Sequence, residues 1–132
     1  MKLEFEFMRE ATLNSNDRFH YQVKAKRTKA LRAQGRAVGL KKQLDHLRDA
    51  KTKFKPFSKV RPCTVDILLY SPTRRKLDPP NFYPTVKALI DGLTDAGLWV
   101  DDNHEVIQSM AFKYGGLSGS KAYRLEIRID EA

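Results

Sequence analysis

Charge is what most limits how this chain can fold. Between Arg18 and Arg61 it places 15 lysines and arginines against two acids, Asp45 and Asp49, a net +13 in 44 residues. A surface so one-sided repels itself unless an anion lies on it, so the segment reads as a basic arm or helical face. The other 88 residues sum to −4 and form a mildly acidic body to which that face is attached. The whole, 132 residues at +9 with a pI near 9.8, is one domain of ordinary size. Its balance favours a polyanionic partner, nucleic acid first and an anionic membrane surface second. No apolar run approaches the roughly 18 residues of a membrane span, and the opening MKLEFEFMRE alternates polar with apolar instead of forming a signal peptide's apolar block. The expectation is a soluble, unexported, cytoplasmic protein. A lone cysteine, Cys63, offers no intrachain disulfide and no zinc site, which suits a reducing compartment.

Periodicity divides the body into elements. Leu3, Phe5 and Phe7 alternate with Lys2, Glu4 and Glu6, the period of a half-buried strand. After the turn-forming cluster Asn14-Ser15-Asn16-Asp17, residues 19–54 lack that alternation and read as helices interrupted near Gly35 and Gly39. Pro56 and Pro62 bracket a connection into Thr64–Tyr70, whose β-branched and aromatic content predicts a buried strand. Val86, Leu89, Ile90, Leu93 and Gly97 fall at i, i+3, i+4, i+7 and i+11. That spacing predicts a helix over 82–96, with Asn81 as N-cap, Pro84 in the first turn and Gly97 as the C′ residue. His104–Tyr114 and Tyr123–Asp130 flank a glycine- and serine-rich stretch and read as a hairpin. The order strand, helical region, strand, helix, strand, strand predicts an α+β fold: a small mixed sheet of about four strands with helices packed on it, in a single domain spanning 1–132.

Three carboxylates stand out by position. Asp78 lies in the loop leaving the second strand, just before the helix; Asp101 and Asp102 follow that helix after Leu98-Trp99-Val100. A strand end and the far side of one helix can converge at a sheet edge, and a hard cation such as Mg²⁺ is usually held by only one or two carboxylates, waters and substrate phosphate. Taken singly, Asp78 reads as a turn residue or cap and Asp101-Asp102-Asn103 as a solvated turn. Lys87 shifts the balance, because with Asp91 at i+4 it shares the helix face near the acidic loops. A lysine beside metal-binding carboxylates can meet a scissile phosphate or stabilise the charge that grows during phosphodiester cleavage. A plain Lys87–Asp91 surface pair would contribute only about a few tenths of a kcal/mol. His20, His46 and His104 are not spaced as a metal triad, Cys63 reads as buried, and Trp99 reads as a packing anchor.

The stretch Arg74-Arg-Lys-Leu-Asp78-Pro-Pro-Asn81, followed by Lys87-Ala-Leu-Ile-Asp91-Gly-Leu-Thr-Asp-Ala-Gly97-Leu-Trp-Val-Asp101-Asp102, resembles the RusA-type Holliday junction resolvases. That family's signature is similar: a basic run, Asp-x-Asp-Asn, a helix carrying Lys and Asp-Ala-Leu, and Ala-Gly-Phe-Trp-x-Asp-Asp. The likeness is closest from about residue 65 to 116 and weaker at Asn14–Arg18, which resembles a Pro-Ser-Asn-Asn-Arg segment. It implies that Asp78 is the first acidic metal ligand, Asn81 the asparagine after the acidic pair, Lys87 the catalytic lysine, Asp102 the last metal ligand and Asp101 its acidic neighbour. Where the family has its second carboxylate this chain has Pro80, with three extra residues before the lysine. Asp91, Asp101 or Asp66 would have to substitute.

The residues and the resemblance together lead us to expect a homodimeric, Mg²⁺- or Mn²⁺-dependent endonuclease that resolves four-way junctions and other branched DNA in recombination and repair. Asp78 and Asp102 hold metal with Asp101 or Asp91, and Lys87 assists at the phosphate. Arg18, Lys24, Lys26, Arg27, Lys29 and Arg32 grip DNA together with Arg74, Arg75 and Lys76. The nucleophile is expected to be a metal-bound water, since no Ser, Cys or His constellation offers a protein one. The main rival is a DNA-binding protein of the same fold without cleavage. An RNA-binding module ranks third, for want of an aromatic RNP-like strand or a glycine-clamped KH loop.

Overall fold

The alternation at the N-terminus becomes β1 (Lys2–Phe7), with Leu3, Phe5 and Phe7 buried and Lys2, Glu4 and Glu6 exposed. The computed structural model, which describes residues 1–132, continues with a 3-10 turn (Arg9–Ala11), α1 (Tyr21–Ala50) and β2 (Cys63–Ser71). A second 3-10 turn (Pro79–Phe82) leads into α2 (Tyr83–Asp95), then β3 (Ile107–Leu117) and β4 (Tyr123–Glu131). The fold is α+β, a four-stranded mixed sheet with two helices, as expected from the order of elements. No helix is long and apolar enough to cross a membrane.

Strand order is β1-β4-β2-β3, with β4 antiparallel to both β1 and β2 and with β3 parallel to β2. Every second residue of β2 from Cys63 to Ser71 is buried. That face joins Val86, Leu89, Ile90 and Leu93 of α2, and Leu31 of α1, in one core. A parallel neighbour requires a crossover connection, and α2 supplies it between β2 and β3. This arrangement corrects the hairpin reading: β3 and β4 lie on opposite sides of β2, and residues 118–122 carry the chain across its end. Five residues span the two strand spacings involved, about 10 Å, with room to spare.

The helical region also departs from expectation. Instead of breaking near Gly35 and Gly39, the chain forms one 30-residue helix, and both glycines are buried in it. A Cβ at Gly35 would fall on the carbonyl oxygen of Leu89, one at Gly92 on that of Arg32, and one at Gly39 would stand 2.8 Å from the Ala96 Cβ. The glycines therefore mark a crossing where the α1 and α2 backbones touch. Each costs its helix about 1 kcal/mol in propensity, which the packing offsets. Two polar ties flank the crossing: Arg32 holds Asp95 through Nε and Nη2 at 2.6 and 2.8 Å, and Gln43 Nε2 donates to the Ala96 carbonyl at 2.7 Å.

The ends of α2 differ in how well they match expectation. Asn81 is not the N-cap; it lies inside the 3-10 turn, Phe82 precedes the helix, and no side chain caps it. At the other end Gly97, at φ +82°, donates its N–H to Thr94 O while Leu98 N donates to Leu93 O. This is the paired closure that a glycine at C′ permits.

Because the crossing has no room for a methyl group, Gly35→Ala or Gly92→Ala should lower stability by about 1–3 kcal/mol despite alanine's better helix propensity. Urea unfolding of the variants measures this, and an unchanged or raised midpoint would show that the backbones are not in contact.

Candidate active site

The exposed side of α2 carries Lys87 and Asp91, one turn apart, while Val86, Leu89, Ile90 and Leu93 face the core. After the Gly97 closure the chain doubles back. Trp99 is buried and donates Nε1–H to Thr94 Oγ1 at 2.7 Å, and residues 98–100 are pinned to Phe57 by Phe57 N–H to Leu98 O and Val100 N–H to Phe57 O, each 3.0 Å. Trp99 is thus the packing anchor expected of it. The turn returns Asp102 to the flank of α2, where Lys87 Nζ lies 2.6 Å from Asp102 Oδ2 and 2.9 Å from Asp91 Oδ1.

Each of these carboxylates gives one oxygen to Lys87 and keeps the other for a further partner. Asp101 is differently engaged: its Oδ1 accepts from Asp102 N and its Oδ2 from Asn103 Nδ2, so both oxygens close its own turn. Asp66 alternates with the buried residues of β2, hence lies on the sheet face away from α2, where it pairs with Lys113 at 3.6 Å. Of Asp66, Asp91 and Asp101, only Asp91 shares Lys87 with Asp102.

Partial burial works against the Lys87 ammonium, but the hydrogen bonds it donates to Asp102 and then to Asp91 outweigh it and hold its pKa above the ordinary lysine value. The hydrogen bond from Lys87 in turn holds Asp102 below the usual carboxylate range against the opposing effect of burial. Lys87 is therefore a permanent cation at neutral pH, suited to electrostatic stabilisation of an anion and not to proton transfer. Cys63, by contrast, is pushed up to about 11 by burial and stays a thiol.

Asp78 has no part in this ion pair. It is exposed at the start of the second 3-10 turn and lines a cleft of about 1110 Å³ between that turn, the Asn14–Asp17 loop and the residues before β4. Asn14, Asn81, Arg75, Lys76 and Lys121 share the cleft, as does Arg27. No three His, Cys, Asp or Glu side chains converge in metal-binding geometry. Asp91 and Asp102, each with one oxygen on Lys87, offer two carboxylates of the kind that Mg²⁺ takes together with water.

The basic residues divide by what they touch. Lys24, Lys26 and Lys29 stand exposed on α1, as do Arg74, Arg75 and Lys76 in the loop after β2, and Arg18 makes only long contacts to backbone carbonyls. Arg32 is committed to Asp95, and Arg27 donates to Thr12 O at 3.1 Å while lying 4.2 Å over the Phe19 ring. Arg9 and Lys121 were not singled out by sequence, since only long-range folding brings them to the cleft.

Since Asp102 is held below its unfolded value, the stability it contributes is complete above about pH 4 and is lost as pH falls through the depressed native value. With Lys87 44% exposed the loss is under about 1 kcal/mol. Denaturant titrations between pH 7 and 2.5 should show a shallower acid decline for Asp102→Asn than for wild type; parallel declines would mean that the pair does not form. Compared with protein-family models and with curated proteins, the chain matches none of them.

Proposed function

We propose that the chain is a metal-dependent endonuclease that cuts branched DNA of the four-way-junction type, working as a homodimer. The observation that carries this reading is the Lys87 ammonium held between Asp91 and Asp102 on an accessible flank of α2. Asp102 and Asp91 would hold the cation. When bound, Mg²⁺ or Mn²⁺ supplies a Lewis acid for phosphate oxygens and lowers the pKa of the attacking water. Lys87, always charged, stabilises negative charge on the phosphate as it develops. The exposed lysines of α1 and the Arg74–Lys76 loop supply sequence-independent backbone contacts, and Arg75, Lys76 and Lys121 bring cationic groups into the Asp78 cleft. Two strands of a junction must be cut, so a two-fold dimer supports the chemistry by presenting two sites in matching register.

A second reading, a DNA-binding protein of this fold without cleavage, is favoured by one observation: Asp78 lines a cleft and joins no group of three metal-binding side chains with Asp102.

Incubation of the protein with an end-labelled four-way junction, with and without Mg²⁺, separates the two. Cleavage should require the metal, and Asp102→Asn and Lys87→Met should each reduce it by about 10²-fold or more while binding changes little. Binding without cleavage at any Mg²⁺ or Mn²⁺ concentration would establish the second reading. Light scattering should give about twice the 15.2 kDa chain mass.

Affinity should also fall steeply with salt, by about 0.9 in log K per log unit of salt for each phosphate neutralised. Replacing Lys24, Lys26 and Lys29 by Ala should flatten that slope; an unchanged slope would place the DNA on another surface.

A further inference from the structure

Thr85, the third residue of α2, is fully buried, yet its hydroxyl is spent on a loop 72 residues away in sequence. Leu13 N–H donates to Thr85 Oγ1 at 2.7 Å, and the Thr85 hydroxyl donates to Leu13 O at 2.6 Å, so one side chain satisfies both backbone groups of a buried residue. The neighbouring tie runs between backbones: Ser15 N–H donates to Asn81 O at 2.8 Å. Beyond Leu13 the loop closes on itself. Asn14 N–H donates to Asp17 Oδ2 at 2.7 Å and Asn16 N–H to Asn14 Oδ1 at 2.9 Å, which ties Asn14–Asp17 into a closed turn.

This unit forms one wall of the cleft, through Asn14, Asn16 and Asp17, and Asp78 and Asn81 form the wall that adjoins it through the Ser15–Asn81 bond. Both walls are thus referred to the first turn of α2, one by the chain itself and the other by the Thr85 hydroxyl. Valine would fill the same buried volume, but it would leave the Leu13 N–H and C=O without partners, and a buried amide in that state draws the segment toward water.

We propose that Thr85 is the positioning residue of the Asp78 cleft, setting the Asn14–Asp17 wall against the Asp78–Asn81 wall so that the cleft receives a DNA backbone segment; this rests on the nuclease reading above. Thr85 touches no substrate. Its effect passes through Leu13 to the asparagines and aspartate of the loop, where a displacement of about 1 Å is enough to spoil alignment.

The test compares Thr85→Val and Thr85→Ser with wild type at a temperature well below unfolding, by amide hydrogen exchange and by binding and single-turnover cleavage of a four-way DNA junction. In Thr85→Val, protection should drop at least about tenfold at Leu13 and Ser15 and stay unchanged in β2 and β4, while junction affinity or cleavage rate falls by about tenfold. Thr85→Ser, which keeps the hydroxyl, should recover both. Wild-type protection and wild-type junction handling in Thr85→Val would overturn the proposal, as would equal losses in the serine variant. Should Thr85→Val fail to fold, Ser15→Pro removes the neighbouring tie at an exposed position, and unchanged junction handling there is equally contrary. If wild type neither binds nor cuts the junction, the nuclease reading falls; the exchange data still decide whether Thr85 sets the wall.

Discussion

The close approach of α1 to α2 at Gly35 and Gly92 is the contact on which the other features rest. A helix bearing so many lysines and arginines cannot present a broad apolar stripe, and of the residues α1 buries only Leu31 has a large side chain. Backbone-to-backbone packing solves this, because two helices in direct contact gain dispersion from their backbones and need only glycine at the crossing, where any side chain would hold them apart. Arg32 and Asp95 then bind the basic helix to the acidic body beside the crossing. The +13 segment is held without being buried.

With its position set from both sides, α2 becomes the rod along which the chemistry is laid out. Its first turn carries Thr85 and follows directly on the Asp78–Asn81 turn; its middle carries Lys87 and Asp91; its C-terminal closure turns the chain back to bring Asp102 alongside. The buried Trp99 anchors that return, bonded to Thr94 and flanked by the Phe57 pairing. An ion pair between Lys87 and Asp102 is therefore decided by helix length and closure geometry as much as by the two charges.

What could be read in advance follows the range of the interaction. Both strand signals with clean alternation were legible, as was α2 to within a residue at each end, because hydropathy at period 2 or 3.6 reports which face each element buries. Gly97 was legible as a C′ residue for the same reason, a local backbone need. The Asn81 cap failed, because the two prolines before it open a 3-10 turn that carries Asn81 into the cleft wall. The Gly35 and Gly39 breaks failed too: a glycine reads identically in a sequence whether it ends a helix or makes room for another one, and only the partner distinguishes them. In the site, the i, i+4 pairing of Lys87 with Asp91 was visible, but that Asp102 and neither Asp101 nor Asp66 joins it at Lys87 was not, since this depends on which oxygens the 101–103 turn consumes and which face of β2 Asp66 occupies.

By itself, then, the sequence determined the α+β class, the surface location of the basic segment, the buried faces of β1, β2 and α2, and the presence of an acidic and lysine-bearing region around α2. Tertiary structure alone decided that β4 and not β3 pairs antiparallel with β2, that α1 is unbroken, and that a threonine reaches across to hold a loop 72 residues away. The division has one cause. Periodicity and turn chemistry are set by residues a few positions apart, whereas strand partners, helix crossings and the sharing of a carboxylate oxygen are settled only when distant segments compete for the same space and the same hydrogen bonds.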